Sequence, residues 1–277
     1  ALASMGYPEA HAALRDALDK TSGSIKAGII ESLGTSRNAE DVAVILPWLR
    51  DKDLAVATSA AMALGRLGGT EAISALKGVV PDASGRFRNV VLDALLQCAE
   101  SLCAKDNATA NALYTEIFSQ WGLENVRTAA YRGIIHTGLD KTPSLISSAL
   151  LGNDPLLWNA ALAEVRQVGG NEVTKACTDI LGQVPREVLT GLIGALAQRG
   201  DKSAGPGLVA LVEDADPIVS LAAIKALVFL GEGSSVPVLV KVAAHGDDTP
   251  REAALQALLQ LSSDDTSAAL LARIEGA

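Results

Sequence analysis

The sequence predicts an all-α solenoid, a right-handed superhelix of about eight stacked helix pairs that are each about 31 residues long. Composition is the first observation that predicts this fold: 49% of the 277 residues are hydrophobic but only 3% are aromatic. Small residues and Leu suit closely packed helices, whereas strands favour β-branched and aromatic residues. The second observation is an internal repeat, which is typical of a stacked helical array.

The repeat is visible in three columns of equivalent positions that share one register. The core column has a spacing of 31 residues, apart from one step of 39, and consists of Leu2, Leu33, Leu64, Leu95, Ile134, Val165, Leu196, Leu227 and Leu258. Four positions later, the second column is mostly glycine, which can end a helix in the left-handed conformation. Its glycines are Gly6, Gly68, Gly138, Gly169, Gly200 and Gly231. A third column, eight positions further on, is again apolar, with Leu14, Ile45, Leu76, Ile146, Cys177, Leu208, Leu239 and Leu270.

Each repeat contains a shorter helix, termed helix A, and a longer one, termed helix B. The pattern predicts helix A over 70–79 and 204–212, and helix B over 54–67 and 217–230. Apolar residues in helix B recur at helical spacing, so the helix has one buried stripe. A single pair cannot bury that stripe, but stacked neighbours can, and the pairs therefore share one continuous core.

An aspartate column marks the start of helix B. Asp in this position can accept hydrogen bonds from the free N–H groups of the first turn and complements the helix dipole. The column consists of Asp53, Asp154, Asp216 and Asp247. Proline directly follows two of these residues, at Pro155 and Pro217, in a first-turn position where it costs no hydrogen bond. We therefore interpret these aspartates as structural rather than catalytic.

Segments 51–80 and 214–243 resemble HEAT-like repeats of the phycobilisome-lyase type. That family has an Asp-Pro-x-Val-Arg-x-x-Ala pattern followed by Ala-Leu-Gly and a short second helix. Its Val-Arg-x-Ala-Ala portion is matched by Val126, Arg127, Ala129 and Ala130. The resemblance covers nearly the whole chain and implies a HEAT-like solenoid whose B helices line the concave face. The chain departs from the family's Arg column at Trp158, Leu189 and Ser220, so an Arg–Asp ladder between repeats would be broken.

The 39-residue step predicts an eight-residue insertion, at 100–107, within a single solenoid that spans 1–277. We expect it to extend the third helix B and to separate an N-terminal block, 1–99, from a C-terminal block, 108–277. Neither end carries a polar capping repeat, so we expect the chain to be a segment of a larger one, with apolar side chains exposed near Leu2 and Met5.

No constellation of residues points to catalysis, a metal or a cofactor. The histidines and cysteines lack metal-ligand spacing, and the sequence contains no phosphate-binding loop or nucleophile elbow. We interpret Cys98 and Cys177 as buried small residues because they occupy apolar columns. A net charge of −9 disfavours nucleic-acid and anionic-membrane binding, and no apolar run is long enough to cross a membrane.

The candidate site is the exposed ridge of helix B, defined as the positions six and two residues before and two residues after the core column. Repeats two to four carry a basic cluster at or near this ridge, which stands out in an acidic chain. Repeat seven places apolar residues on the same face, where a solvated surface would be polar. The predicted partner-binding residues are Arg66, Arg86, Arg88, Arg132, His136, Ile218, Leu221 and Phe229.

Three functions fit this fold. The first is a non-catalytic scaffold that binds a partner protein in the concave groove, for which a rigid curved surface suffices. The second, implied by the resemblance, is an accessory or lyase-like protein, which a bilin-binding titration would identify. The third is a HEAT-like nucleic-acid binder, which would need a broadly basic groove and a salt-dependent affinity. The sequence favours the scaffold and predicts a protein partner, no nucleic acid, no membrane insertion and no cofactor.

Overall fold

The computed structural model describes residues 8–36, 38–121, 123–231, 235–246 and 248–261. Within these ranges the chain is built from helices and turns and contains no β-strand. The predicted all-α solenoid class is confirmed, because helices A and B alternate along the chain. The predicted apolar exposure near Leu2 and Met5, and the predicted cap at Asp247, lie outside the described residues.

Residues 1–138 form the first of two compact units. Its helical elements are α1 (Pro8–Leu18), α2 (Gly23–Gly34), α3 (Asp41–Ile45) with a 3-10 helix (Leu46–Arg50), α4 (Leu54–Leu67), α5 (Thr70–Val79), α6 (Gly85–Leu102), α7 (Asn107–Glu116) with a π-helical turn (Ile117–Trp121), and α8 (Glu124–Thr137). The B helices of this unit are α2, α4, α6 and α8. Helix α6 has 18 residues against 14 in α4, so it contains the predicted extension. The insertion thus lies inside the first unit, and the predicted division into blocks at 99 and 108 stays a prediction.

Residues 139–277 form the second unit. Its helical elements are a 3-10 turn (Leu139–Lys141), α9 (Thr142–Leu151), α10 (Pro155–Gln167), α11 (Asn171–Asp179), α12 (Arg186–Arg199), a 3-10 turn (Lys202–Ala204), α13 (Gly205–Val209), α14 (Pro217–Leu230), α15 (Val236–His245) and α16 (Asp248–Gln260). The B helices of this unit are α10, α12, α14 and α16. The helix A predicted over 204–212 is shorter than expected, because α13 ends at Val209 and residues 210–212 form a turn.

Local capping sets the bounds of helix B. The side chains of Asp53, Asp154 and Asp216 each accept a hydrogen bond from the backbone N–H two residues later, at 2.9–3.0 Å. At the other end, Gly200 and Gly231 adopt the left-handed conformation, with φ of 74° and 61°. A residue with a Cβ would be strained there, so these glycines end α12 and α14.

Residues of the predicted core column lie in the interior of both units. In the first unit Leu33, Leu64 and Leu95 are completely buried. Its buried members in the second unit are Val165, Leu196 and Leu227. Ile134 is buried as well and Leu258 is partly exposed, so seven of the eight column members that the structure describes are buried, which confirms the predicted register.

In three repeats, the residue at the position of the family's Arg makes the same kind of hydrogen bond, whether or not it is an arginine. In each of them the polar side chain near the start of helix B donates a hydrogen bond to a carbonyl that lies one to three residues after the end of the preceding helix A. The three bonds run from Arg88 Nη1 to the Val80 oxygen (2.6 Å), from Trp158 Nε1 to the Gly152 oxygen (2.9 Å) and from Ser220 Oγ to the Val212 oxygen (2.6 Å). Because helix C-termini leave carbonyls without partners, Arg, Trp and Ser can all fill this position.

Neighbouring B helices of the first unit approach closely where glycine meets alanine. A Cβ atom built on Gly34 of α2 would lie 2.5 Å from the Ala63 Cβ, and one built on Gly65 of α4 would lie 2.8 Å from the Ala94 Cα. Real Cβ atoms do not approach other carbon atoms this closely. The small residues therefore set the spacing of α2, α4 and α6.

We expect Gly65→Ala to destabilise the first unit by about 1–3 kcal/mol, because the added methyl group meets the backbone of α6 and forces the two helices apart. The matched control is Gly28→Ala, since a Cβ on Gly28 has no atom within 4 Å. Alanine favours a helix over glycine by about 0.5–1 kcal/mol, so this control is expected to stabilise the protein. Urea unfolding followed by circular dichroism measures both changes, and equal shifts of the same sign would contradict the close approach.

Candidate protein-interaction surface

The ridge of helix B is exposed in the first unit, as the sequence predicts. Met62 and Arg66 are exposed on α4, and the Arg66 guanidinium lies 4.0 Å from the Glu31 carboxylate on the ridge of α2. Ridges of neighbouring helices therefore lie side by side. An exposed ion pair of this length contributes little to stability, so Arg66 can exchange Glu31 for an acidic group of a ligand at small cost.

The predicted basic residues differ in how they are held. Arg86 is exposed at the start of α6. It forms no hydrogen bond or ion pair with any residue in the described part of the chain. Arg88 is half-buried and holds the carbonyl of Val80. Arg132 and His136 are exposed on α8, but each already has an interaction partner. Arg66 and Arg86 are thus the members of the predicted cluster best placed to meet an added acidic group.

Two further ridge residues on α6, Asn89 and Asp93, were not selected from the sequence. Asn89 Oδ1 is buried and finds no hydrogen-bond partner among the described residues. Burial raises the pKa of the Asp93 carboxyl above its usual range. On the α6 ridge the Asn89 Oδ1 is therefore shielded from water, whereas the Asp93 side chain remains exposed. Residue type alone gives no sign of this shielding.

An open cavity of about 850 Å³ adjoins Arg66 in the first unit. Besides Arg66, its polar lining includes Thr70, Glu71, Ser101 and Lys105, and the Gly68–Gly69 turn forms part of its wall. Two cations, one carboxylate and two hydroxyl groups therefore line a space large enough for side chains of a bound segment.

The ridge of α14 in the second unit is apolar, as predicted. Ile218 and Phe229 are each 68% exposed, and Leu221 is half-buried. These residues and the exposed Lys225 recur at intervals of three or four residues, so they lie on one face of the helix. The opposite face is fully occupied by the core, including Ile224 and Leu227. Ile218, Leu221 and Phe229 therefore remain in contact with water when α14 is packed in the protein.

The two cysteines in the apolar columns are buried, as predicted. Burial raises the pKa of Cys98 and of Cys177 to about 12, so neither thiol forms a nucleophilic thiolate near neutral pH. Within the described ranges, no group of three or more His, Cys, Asp or Glu residues could hold a metal ion. A search of those ranges for a membrane-spanning helix finds none that is sufficiently long and apolar.

A family model for HEAT repeats matches residues 11–96 and 174–259. The two stretches together cover more than half of the chain. This chain belongs to the HEAT repeat family. Segments 51–80 and 214–243, which resemble HEAT-like repeats in the sequence, both lie within the matched residues, so that resemblance is confirmed. A search of curated proteins returns no match for this HEAT repeat protein.

Solved structures similar to this HEAT repeat protein have low sequence identity to it. Human deoxyhypusine hydroxylase in complex with glycerol is 16% identical, with a TM-score of 0.40, and the alignment covers 94% of this chain and 98% of the hydroxylase. An engineered protein is 19% identical, with a TM-score of 0.44 and coverage of 94% and 82%. The complex of CpcE and CpcF of phycocyanin lyase from Nostoc is 18% identical, with a TM-score of 0.37 and coverage of 93% and 84%.

Proposed function

We propose that this HEAT repeat protein is a non-catalytic scaffold that binds partner proteins through the exposed ridges of its B helices. The observation that carries this proposal is the apolar ridge of α14, on which Ile218 and Phe229 are each 68% exposed. Water-exposed apolar residues grouped on one face of a rigid helix are typical of protein–protein contacts. A scaffold function requires no reactive group, which agrees with buried, protonated thiols at Cys98 and Cys177.

The α14 ridge supplies the affinity in this proposal. Burying a Phe side chain removes roughly 150–250 Å² from water, and each Å² contributes about 25 cal/mol. Ile218, Leu221 and Phe229 sit on a helix whose backbone is held by the Asp216 cap and by Gly231. Little conformational freedom is lost when such a prearranged surface binds, so more of the burial energy appears as affinity.

Charge in the first unit supplies selectivity. Arg66, Arg86 and Lys105 are exposed cations on a protein with a net charge of −9, so they favour an acidic or amide-rich segment of the partner. Complementary charge of this kind raises the association rate more than the lifetime of a complex. Arg88, Arg132 and His136 belong to the same proposed surface but contribute less, because each already has an interaction within the protein.

Site-specific photocrosslinking tests the α14 ridge. A crosslinking amino acid at position 229, in the full chain, should capture a discrete partner in extracts of the source cell. The affinity of that purified partner is then measured by calorimetry for wild type and for the double variant Ile218→Ser/Phe229→Ser. We expect the double variant to bind about 30-fold more weakly or worse, which corresponds to loss of about 2 kcal/mol from a hot spot.

The matched control is Leu151→Ser, which removes an exposed apolar side chain at the end of α9, a helix A in the same unit as α14. This variant should bind the partner as wild type does. Arg66→Glu/Arg86→Glu should slow association and weaken its dependence on salt. If the α14 double variant stays folded and binds with unchanged affinity, the ridge is not the binding surface.

A further inference from the structure

The ridges of α10 and α12 carry small residues at their middle position, two residues before the core column. These residues are Ala163 in α10 and Gly194 in α12. A Cβ atom built on Gly194 would meet no atom within 4 Å, so the space above it is open. Ridges of the first unit carry longer, exposed side chains at this position, namely Glu31, Met62, Asp93 and Arg132. Because α10 packs beside α12, Ala163 and Gly194 form the floor of a depression that crosses both helices.

Polar side chains stand in two rows on either side of this floor. Gln167 and Gln198 lie one turn after the floor residues. Asn159 and Thr190 lie one turn before them. We term the space between the two rows the trough. The three carboxamides form no hydrogen bond with another residue in the described ranges, and each offers both donors and an acceptor to the backbone of a bound polypeptide.

The trough ends at α14, which packs beside α12 and carries Lys225 at the position of the floor residues. Lys225 is exposed and has no ion pair within the residues that the structure describes. Leu221 and Phe229 lie one turn before and one turn after it, so apolar side chains flank it on the ridge. A second copy of α14, packed antiparallel with Leu221 against Phe229, would bring two Lys225 side chains together, and like charges oppose that pairing.

The width of the trough favours an extended polypeptide as its occupant. Its two polar rows are eight residues apart along each helix, which is roughly 12 Å at a rise of ~1.5 Å per residue. Side chains of the rows take up part of this width, so a helix with a diameter of about 10–12 Å does not fit between them. A single extended chain needs only about 5 Å, the spacing of neighbouring strands in a sheet.

We infer that an extended segment of the partner protein lies in the trough and places an Asp or Glu side chain on Lys225, which rests on the proposed function because Lys225 is part of the α14 ridge. From α10 to α14 are two helix spacings of about 8–10 Å each, which about five or six extended residues cover at ~3.3 Å per residue. Amides of the trough hold the backbone of the segment. Its carboxylate and an apolar side chain beside Leu221 or Phe229 provide the selectivity.

Selection of short random peptides, displayed as a library, on the 277-residue chain tests the charge at the end of the trough. Enriched peptides should share an Asp or Glu next to an apolar residue. Lys225→Glu should bind such a peptide at least about 10-fold more weakly in a fluorescence-polarisation titration, and it should select Lys or Arg instead. Equal selection by wild type and Lys225→Glu, or a library without any binder, would overturn the inference. Amidation of the peptide C-terminus should leave binding unchanged, since loss of binding would assign the carboxylate to the chain end.

Gly194→Gln fills the trough and leaves Lys225 in place. The space at its Cβ is open and glutamine favours a helix over glycine, so this variant should stay folded. It should bind the selected peptide at least about 10-fold more weakly, because the added side chain occupies the path of the backbone. The matched control is Gly78→Gln, which changes an exposed glycine of α5 with equally open space and should bind as wild type does.

Methylation of single backbone nitrogens in the peptide tests the extended conformation. It should weaken binding at several positions, because an extended backbone donates its N–H groups to the amides of the trough. A peptide whose binding no single methylation changes would overturn this conformation.

Two variants separate the trough from the α14 ridge as binding surfaces. If Gly194→Gln binds the partner crosslinked at position 229 as tightly as wild type, while Ile218→Ser/Phe229→Ser loses it, the ridge is the binding surface and the trough is not. Unchanged binding by both variants would overturn the trough and the proposed function together. Loss of binding in both variants is the expected result.

Discussion

Leu196→Ala is expected to lower the free energy of unfolding by about 2–5 kcal/mol. Leu196 is completely buried in α12, on the core column that aligns the repeats. Truncation removes apolar contacts and leaves a cavity between helices that cannot fully close, because both neighbours are fixed by their own caps. Urea unfolding monitored by circular dichroism at 222 nm measures the loss.

The control for this prediction is Gln198→Ala, which changes an exposed residue two positions further along the same helix. Surface substitutions of this kind usually stay within about 0.5 kcal/mol. If Leu196→Ala also stays within that range, the core column has been assigned to the wrong face of α12.

Arg199→Ala is expected to cost about 3 kcal/mol or more, because one guanidinium holds several groups at the end of α10 and the start of α11. Its side chain donates to the carbonyls of Val165, Val168 and Gly170, and its Nε donates to Thr174 Oγ1 at 2.7 Å. Thr174 is buried, so loss of the guanidinium leaves partly buried acceptors without a donor. Hydrogen exchange should locate the loss of protection at the end of α10 and in α11.

Two further variants serve as controls for this prediction. Arg199→Lys keeps the charge but lacks the planar fork of donors, so it should recover only part of the stability. Arg166→Ala removes an exposed arginine from the last turn of α10 and should change stability by less than about 0.5 kcal/mol. Equal losses for Arg166→Ala and Arg199→Ala would mean that the carbonyl contacts of Arg199 contribute nothing.

Local chemistry explains why many helix bounds could be predicted. The bounds of α4, α5 and α14 agree with the sequence prediction residue for residue. In α4 and α14 an aspartate at the start and a glycine at the end act within one turn of the chain, so no knowledge of distant contacts is needed. Helix α13 was predicted less well, because residues 210–212 have the helix A pattern in the sequence but form a turn in the structure.

The polar side chains were less predictable than the helices. The Arg column appeared broken at Trp158 and Ser220, yet both side chains donate to a helix A carbonyl as Arg88 does. Asp41 likewise shows nothing unusual in the sequence, although it is buried and accepts hydrogen bonds from Arg15 and Ser36. A hydrogen bond depends on geometry that several residue types can satisfy, so residue identity underdetermines it.

The sequence by itself determined the helix pairs, their 31-residue register and the apolar stripe that becomes the core. These properties follow from capping, helix propensity and periodicity, which act over a few residues. Only the tertiary structure decided which members of one column meet water. Ile224 and Leu255 occupy the same column and are equally apolar, but Ile224 is buried and Leu255 is half exposed. The difference arises because burial depends on which other helices pack against a position, and helices that pack together are separated by tens of residues along the chain.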